Sequence, residues 1–214
     1  MSLMYLARLT RPDLLLPVTY LASKSHCATT EDLKKAERIL YYLVYTRDLG
    51  ITIRCEGLQL KCLCDASYGV HDDGRSHTGY IITLGETRSY LHARSGKQKL
   101  TATSSTDAEV IAMVESLKMC VWMRNVIQYL NISPLRTIVL YQDNKSAIIM
   151  IEEPSKYKRS RHILTKIGYA RDLCRLGIVR VKNLNTNDMT ADVLTKSKQG
   201  SIYVIHRNNM MGMN

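Results

Sequence analysis

The chain has 214 residues, 45% hydrophobic and 23% charged, the balance of a globular protein with room for one good core and too short for a full polymerase. Thirty Lys and Arg against 19 Asp and Glu leave a formal charge of +11, which points to a polyanionic partner, nucleic acid first and an anionic membrane second. The N-terminal run "LMYLARLTRPDLLLP" is too short, and too broken by Arg8, Arg11, Pro12 and Asp13, for a membrane span or a signal peptide.

Residues 1–50 read as helical. Thr30 offers an N-cap, Leu33, Ala36, Leu40 and Leu43 recur at helical spacing, and Gly50 is a stop; something must cover that apolar face. Strand patterns follow in "ITIRCE", "LQLKCLCDAS", "TGYIITL" and "RSYLHAR", the last two joined by a hairpin turn at Gly85-Glu86. The spacing then predicts a long helix from Ser105 to Leu130, with an apolar stripe through Val110, Met113, Val114, Leu117, Cys120 and Val121 and with Trp122 in packing. A β-branched strand "RTIVLYQ", a helix "NKSAIIMIEE" ended by Pro154, a helix from Arg161 to Leu176 capped by Gly177, a strand "IVRVKNL" and a short helix around "NDMTADVLTK" complete the chain. This order implies an α/β protein, a mixed sheet with helices packed on it. Cys27, Cys55, Cys62, Cys64, Cys120 and Cys174 form no C-x-x-C pair and read as buried, reduced thiols of a cytosolic or nuclear protein.

Four carboxylates are candidates for a shared site. Asp65 lies at the end of the first main strand and Asp143 at the junction of "TIVLYQ" with the next helix, where an α/β sheet delivers ligand-binding groups. Glu109 is near the start of the long helix, and Asp192 is in the terminal one. Each alone reads as a cap, a turn acid or a surface group; Thr106 to Glu109 spells the S/T-x-x-E capping box. Together they could not converge without divalent cations, and hard oxygen donors select Mg²⁺ or Mn²⁺. Two such ions about 4 Å apart can activate a water and stabilise the leaving oxygen of a phosphodiester displacement.

The segment from Pro154 to Lys182 holds nine Lys and Arg, including Arg159 and Arg161, against the single acid Asp172. A basic run is often just a solvated face, but an acidic pocket needs cations around it if a phosphate backbone is to approach. Arg88, Arg94, Lys97 and Lys99 form a second cluster. Gln98, Ser104 and Asn144 are polar neighbours of the proposed ligands, suited either to 2′-OH contacts or to local caps and turns. His162 could contact phosphate or be a packed histidine.

"CDASYG", "TGYIITLGE", "SSTDAEVIAM", "LYQDNKSAI", "RSRHI" and "TADVLTK", in this order and spacing, resemble the ribonuclease H domain of copia-type (Ty1/copia) retrotransposon Pol polyproteins. "LMYLARLTRPDLLLPVTYLAS" and "AERILYYLVYTRDLGITI" look like the tail of the reverse transcriptase that precedes it. The resemblance implies a ribonuclease H-like fold with a mixed five-stranded sheet over residues 51–200, a helical reverse-transcriptase tail over 1–50 and a C-terminal tail over 201–214. It implies a two-metal D-E-D-D site on Asp65, Glu109, Asp143 and Asp192, with Mg²⁺ or Mn²⁺, and substrate contacts from Gln98, Ser104, Asn144, Arg159, Arg161 and His162. The implied activity is hydrolysis of the RNA strand of RNA/DNA hybrids during reverse transcription. The implied partner is the polymerase portion of Pol, in a cytoplasmic retrotransposon particle or in the nucleus. The family's aspartate-rich polymerase motif is not within this chain, so no polymerase activity is expected of it. "NLNTNDMTAD" also lacks the histidine that cellular ribonucleases H carry before the last aspartate, which implies slower product release. The competing reading is a non-catalytic, nucleic-acid-binding remnant. A transposase on the same fold ranks last, because Val179 stands where its glutamate is expected, about 36 residues after Asp143.

Overall fold

The computed structural model describes residues 2–54, 57–85, 90–131, 136–153 and 163–213. Three helices come first, α1 (Ser2–Leu9), α2 (Leu15–Ser23) and α3 (Thr30–Tyr45). Strands β1 (Leu60–Ser67), β2 (His77–Leu84) and β3 (Tyr90–Lys97) precede α4 (Ser105–Tyr129), β4 (Ile138–Gln142), α5 (Lys145–Glu152), α6 (Leu164–Arg175) and β5 (Val179–Asn183). Two 3-10 turns, Thr186–Asp188 and Thr190–Leu194, lead to α7 (Gly200–Met211). The sheet order is β3-β2-β1-β4-β5, antiparallel through β2 and parallel from β1 through β4 to β5. This is the mixed five-stranded sheet with flanking helices that the sequence implies.

Alternation along each strand decides what faces what. Cys62 and Cys64 of β1, Ile82 of β2 and Ile138 and Leu140 of β4 point inward and pack with Val110, Met113, Leu117 and Ile167. The apolar stripe of α4 is buried as far as Cys120, but Trp122 is 60% exposed, contrary to the packing role expected of it. Helical phase explains this: Trp122 shares a face with the exposed Lys118, Asn125 and Tyr129, while Met119, Val121, Met123 and Ile127 of the same stretch pack against the core.

A second core covers the outer face of β2 and β3. There Ala7, Leu14, Leu15, Val18 and Ile39 meet Ile81, Tyr90, Ala93, Val193, Leu194 and Met210. A buried ion pair, Arg11 to Asp13 at 2.8 Å, organises the N-terminal helices, and the Tyr42 hydroxyl donates to the same carboxylate at 2.8 Å. Helix α3 is capped by Thr29 rather than Thr30, with Asp32 closing a reciprocal capping box. Its buried line runs through Ile39, while Leu33 and Leu40 are 61% and 51% exposed, so the expected stripe is rotated.

Residues 51–54 are not a strand: Ile51 packs on the second core and the Thr52 amide donates to the Met211 carbonyl, tying down α7 instead of joining the sheet. The helix expected around "NDMTADVLTK" is the pair of 3-10 turns, and residues 200–211 form α7, ended by Gly212 at φ 70°. Of the hairpin turn, Gly85 is described and Glu86 lies outside the described residues. Cys62, Cys64 and Cys120 are buried free thiols as expected; Cys174 is half-buried, Cys27 is exposed, and Cys55 lies outside the described residues. Among the described residues no helix is long and apolar enough to cross a membrane.

Candidate metal centre

Strands β1 and β4 run parallel, so their C-terminal ends deliver side chains to the same end of the sheet. Asp65 is near the end of β1, and Asp143 follows the last residue of β4. Glu109 comes from the other side, in the second turn of α4. That helix is started by Ser104, whose hydroxyl accepts from the Asp107 amide at 3.1 Å. The S/T-x-x-E pattern at Thr106 is therefore not a cap, because Thr106 is already inside the helix. Carboxylate oxygens of Asp65, Glu109 and Asp143 all lie within 4.8 Å of one another.

Gln142 braces this cluster from the buried face of β4. Its Nε2 donates to Glu109 Oε2 at 3.0 Å, and its Oε1 accepts from the backbone amides of Asp143 at 2.7 Å and Asn144 at 3.1 Å. The Thr186 hydroxyl donates to Asp143 Oδ2 at 3.0 Å. Asp65 accepts from the Thr195 hydroxyl and, at 3.0 Å, from Lys196 Nζ. The same ammonium reaches Asp192 Oδ1 at 2.8 Å, and Lys198 Nζ lies 3.0 Å from Asp192 Oδ2. Asp192 is thus attached to the cluster through Lys196, whereas the other three acids meet directly.

Electrostatics follow from burial and crowding. Burial pushes the Asp65 carboxyl up to about 6, against the pull of Lys196 and the Thr195 hydroxyl. Glu109 is held well above the usual carboxylate range by burial first, then by the charges of Asp65 and Asp143. Asp192 is also penalised by burial, but hydrogen bonds and charge from Lys196 and Lys198 outweigh the penalty and hold it below its usual value. Lys196 is itself raised: its burial is outweighed by Asp65 and Asp192. Three hard oxygen donors on separate elements, two of them buried and raised chiefly by that burial, fit a divalent metal ion.

The other expected contacts divide. Gln98 is fully buried and brackets the fold, its Nε2 donating to Thr78 Oγ1 and to the Ala108 carbonyl at 2.9 Å each, so it does not face a substrate. Ser104 and Asn144 are N-caps, Asn144 Oδ1 accepting from the Ala147 amide at 3.1 Å. Arg159, Arg161 and His162 lie outside the described residues. Sequence reasoning missed Gln142, Thr195 and Lys196. The one legible signal was Lys196 standing four residues after Asp192, a spacing at which side chains meet on a helical turn.

No family model matches the chain. It is 35% identical over 197 residues to the retrovirus-related Pol polyprotein from transposon RE1 of Arabidopsis thaliana, a match covering 91% of this chain and 13% of that protein. It is 30% identical to the Pol polyprotein from transposon TNT 1-94 of Nicotiana tabacum, over 91% of this chain and 14% of that one. The chain therefore spans about one seventh of the length of these curated relatives. Among solved structures it resembles the N-terminal RNase H domain of rv2228c from Mycobacterium tuberculosis. The TM-score is 0.50 and the identity 13%, over 65% of this chain and 91% of that one. The fold is ribonuclease H-like.

Proposed function

This chain belongs to the copia-type retrotransposon Pol polyproteins, and we propose that it is their metal-dependent endoribonuclease, hydrolysing the RNA strand of RNA/DNA hybrids during reverse transcription. The observation that carries the reading is the convergence of Asp65, Glu109 and Asp143 at one end of the sheet. These residues would hold Mg²⁺ or Mn²⁺ as a pair of ions, with Asp192 completing the set. When bound, such ions supply Lewis-acid activation of a water and neutralise charge developing on the phosphate.

The chain's own groups then have separate duties. Gln142 fixes Glu109 and, through the Asp143 and Asn144 amides, the turn that presents Asp143. Thr195 orients Asp65, and Lys196 holds the Asp192 segment against it. In the hydrolysis the water oxygen bonds to phosphorus and gives a proton to solvent, while the bond from phosphorus to the 3′ oxygen breaks and that oxygen takes a proton from solvent. The ends left are a 3′-hydroxyl and a 5′-phosphate. The surplus of 30 basic over 19 acidic residues supports a polyanionic substrate.

The test is cleavage of an end-labelled RNA/DNA hybrid in Mg²⁺ or Mn²⁺, beside duplex RNA, duplex DNA and an Asp143→Asn control. Hybrid-specific cutting that disappears in the control is expected. Binding without cutting in either metal would overturn the nuclease reading in favour of a non-catalytic nucleic-acid-binding remnant.

A further inference from the structure

The second core covers only half of the outer sheet face. Beyond it, β1, β4 and β5 carry a groove of about 530 Å³ lined by Gln59, Lys61, Arg136, Thr137, Val139, Tyr141, Arg180 and Lys182. Four of these eight residues are cationic and none is acidic. Strand register sets them in rows: Lys61, Val139 and Arg180 stand side by side across three strands, and Leu63, Tyr141 and Lys182 form the next row. Two positions further along β1 comes Asp65, which alternation places on this same face, and just past the end of β4 comes Asp143. The carboxylate cluster is thus about 7 Å from the row of Tyr141 and about 13 Å from the row of Arg180.

Edge protection is the bland account of such cations, since Lys and Arg on an outer strand discourage pairing with another chain. It covers Arg180 and Lys182 on β5, at one edge of the sheet, but not Arg136 ahead of β4. A protein partner is disfavoured by composition, because the cores of protein interfaces are depleted in charge. A phosphate backbone fits: cations are spaced along a track that leads from the metal centre, and Tyr141, half-exposed between them, offers a flat surface to a sugar or base.

We propose that this groove is a second nucleic-acid contact, in which Arg136, Arg180 and Lys182 hold the phosphate backbone of the substrate where it runs on from the carboxylate cluster. The proposal rests on the nuclease reading for its substrate but not for its chemistry. At about 3.4 Å of duplex axis per nucleotide, 13 Å corresponds to roughly four nucleotides beyond the scissile phosphate.

The experiment is fluorescence anisotropy of a labelled RNA/DNA hybrid across a KCl series in EDTA, using the full chain, the variant Arg136→Gln/Arg180→Gln/Lys182→Gln and the conservative variant Arg136→Lys/Arg180→Lys. The glutamine variant should bind about tenfold more weakly or worse, and its slope of log affinity against log salt should fall by about two to three, while the lysine variant keeps the wild-type slope. If thermal melting shows the triple variant unfolded, Arg136→Gln alone carries the test, with a slope reduction of about one. Equal affinity and slope in the glutamine variant overturn the proposal. The two readings separate cleanly. A wild-type chain that cuts hybrid while the variant's slope is unchanged sinks the groove alone. One that binds without cutting in Mg²⁺ or Mn²⁺, yet loses slope in the variant, sinks the nuclease alone.

Discussion

Gly79 stands so close beneath Leu194 that a Cβ added to the glycine would lie 2.7 Å from Leu194 Cβ, and equally close to Thr195 Cγ2. Gly79 is also the cross-strand partner of Asp65. The absence of a side chain is what lets the Thr190–Leu194 turn settle onto the sheet and bring Thr195 and Lys196 to the Asp65 carboxylate. Gly79→Ala should therefore lift the turn, cost about 1–3 kcal/mol from overpacking, and lower cleavage more than its loss of stability explains. Denaturant melts beside hybrid cleavage at a temperature where the variant stays folded would check this; unchanged activity would show that the turn need not touch the sheet.

Lys196 lowers the Asp65 carboxyl by charge and hydrogen bond, against a burial that raises it to about 6. Removing the ammonium in Lys196→Met should send Asp65 higher still. Carboxyl carbon titration by NMR in metal-free buffer is the measurement, and an Asp65 midpoint that stays put would mean Lys196 is not held as the structure has it.

Glu109 is buried beside two other carboxylates, and its Oε2 accepts from Gln142. Glu109→Gln keeps the shape and an oxygen acceptor while removing the charge. Without metal at neutral pH the variant should melt higher by a few degrees, on the order of 1 kcal/mol, while losing hybrid cleavage. A variant less stable than wild type would indicate that burial beside Asp65 and Asp143 does not penalise the Glu109 carboxylate.

A buried histidine gives a pH prediction. Ser95 Oγ donates to the Leu194 carbonyl at 2.7 Å, so its proton is spent, and it must accept from His77 Nε2, also at 2.7 Å. His77 Nδ1 is then left to accept from His71 Nε2 at 3.0 Å. Burial, and then the nearby His71, lower His77 from 6.5 to about 4. The folded state takes up this proton less readily than the unfolded chain. The stability from His77 is therefore complete above about 6.5, falls as pH drops, and is gone below about 4, a total of about 3 kcal/mol. Asp65, raised from 3.8 to about 6, acts with the opposite sign over much of that window, so the raw pH curve is not the readout. The stability difference between wild type and His77→Asn should shrink by that amount from pH 7 to pH 4. A difference independent of pH would mean that His77 titrates normally.

The order of elements was legible in the sequence because it rests on short-range periodicity. Alternating Cys62 and Cys64, the stripe from Val110 to Cys120 and the β-branched "TIVLY" each carry their own structural signal. The +11 charge and the positions of Asp65, Glu109 and Asp143 near element ends were equally readable, and so was the resemblance. Only tertiary structure decided which polar groups serve the site. Gln98 and Gln142 look alike in the sequence, yet the first brackets the interior while the second braces Glu109, 33 residues away. Lys196 meets Asp65 across 131 positions. Periodicity fixes which face a residue takes within its own element, but contacts between distant segments depend on how elements are stacked and how far each extends. No local pattern encodes those distances.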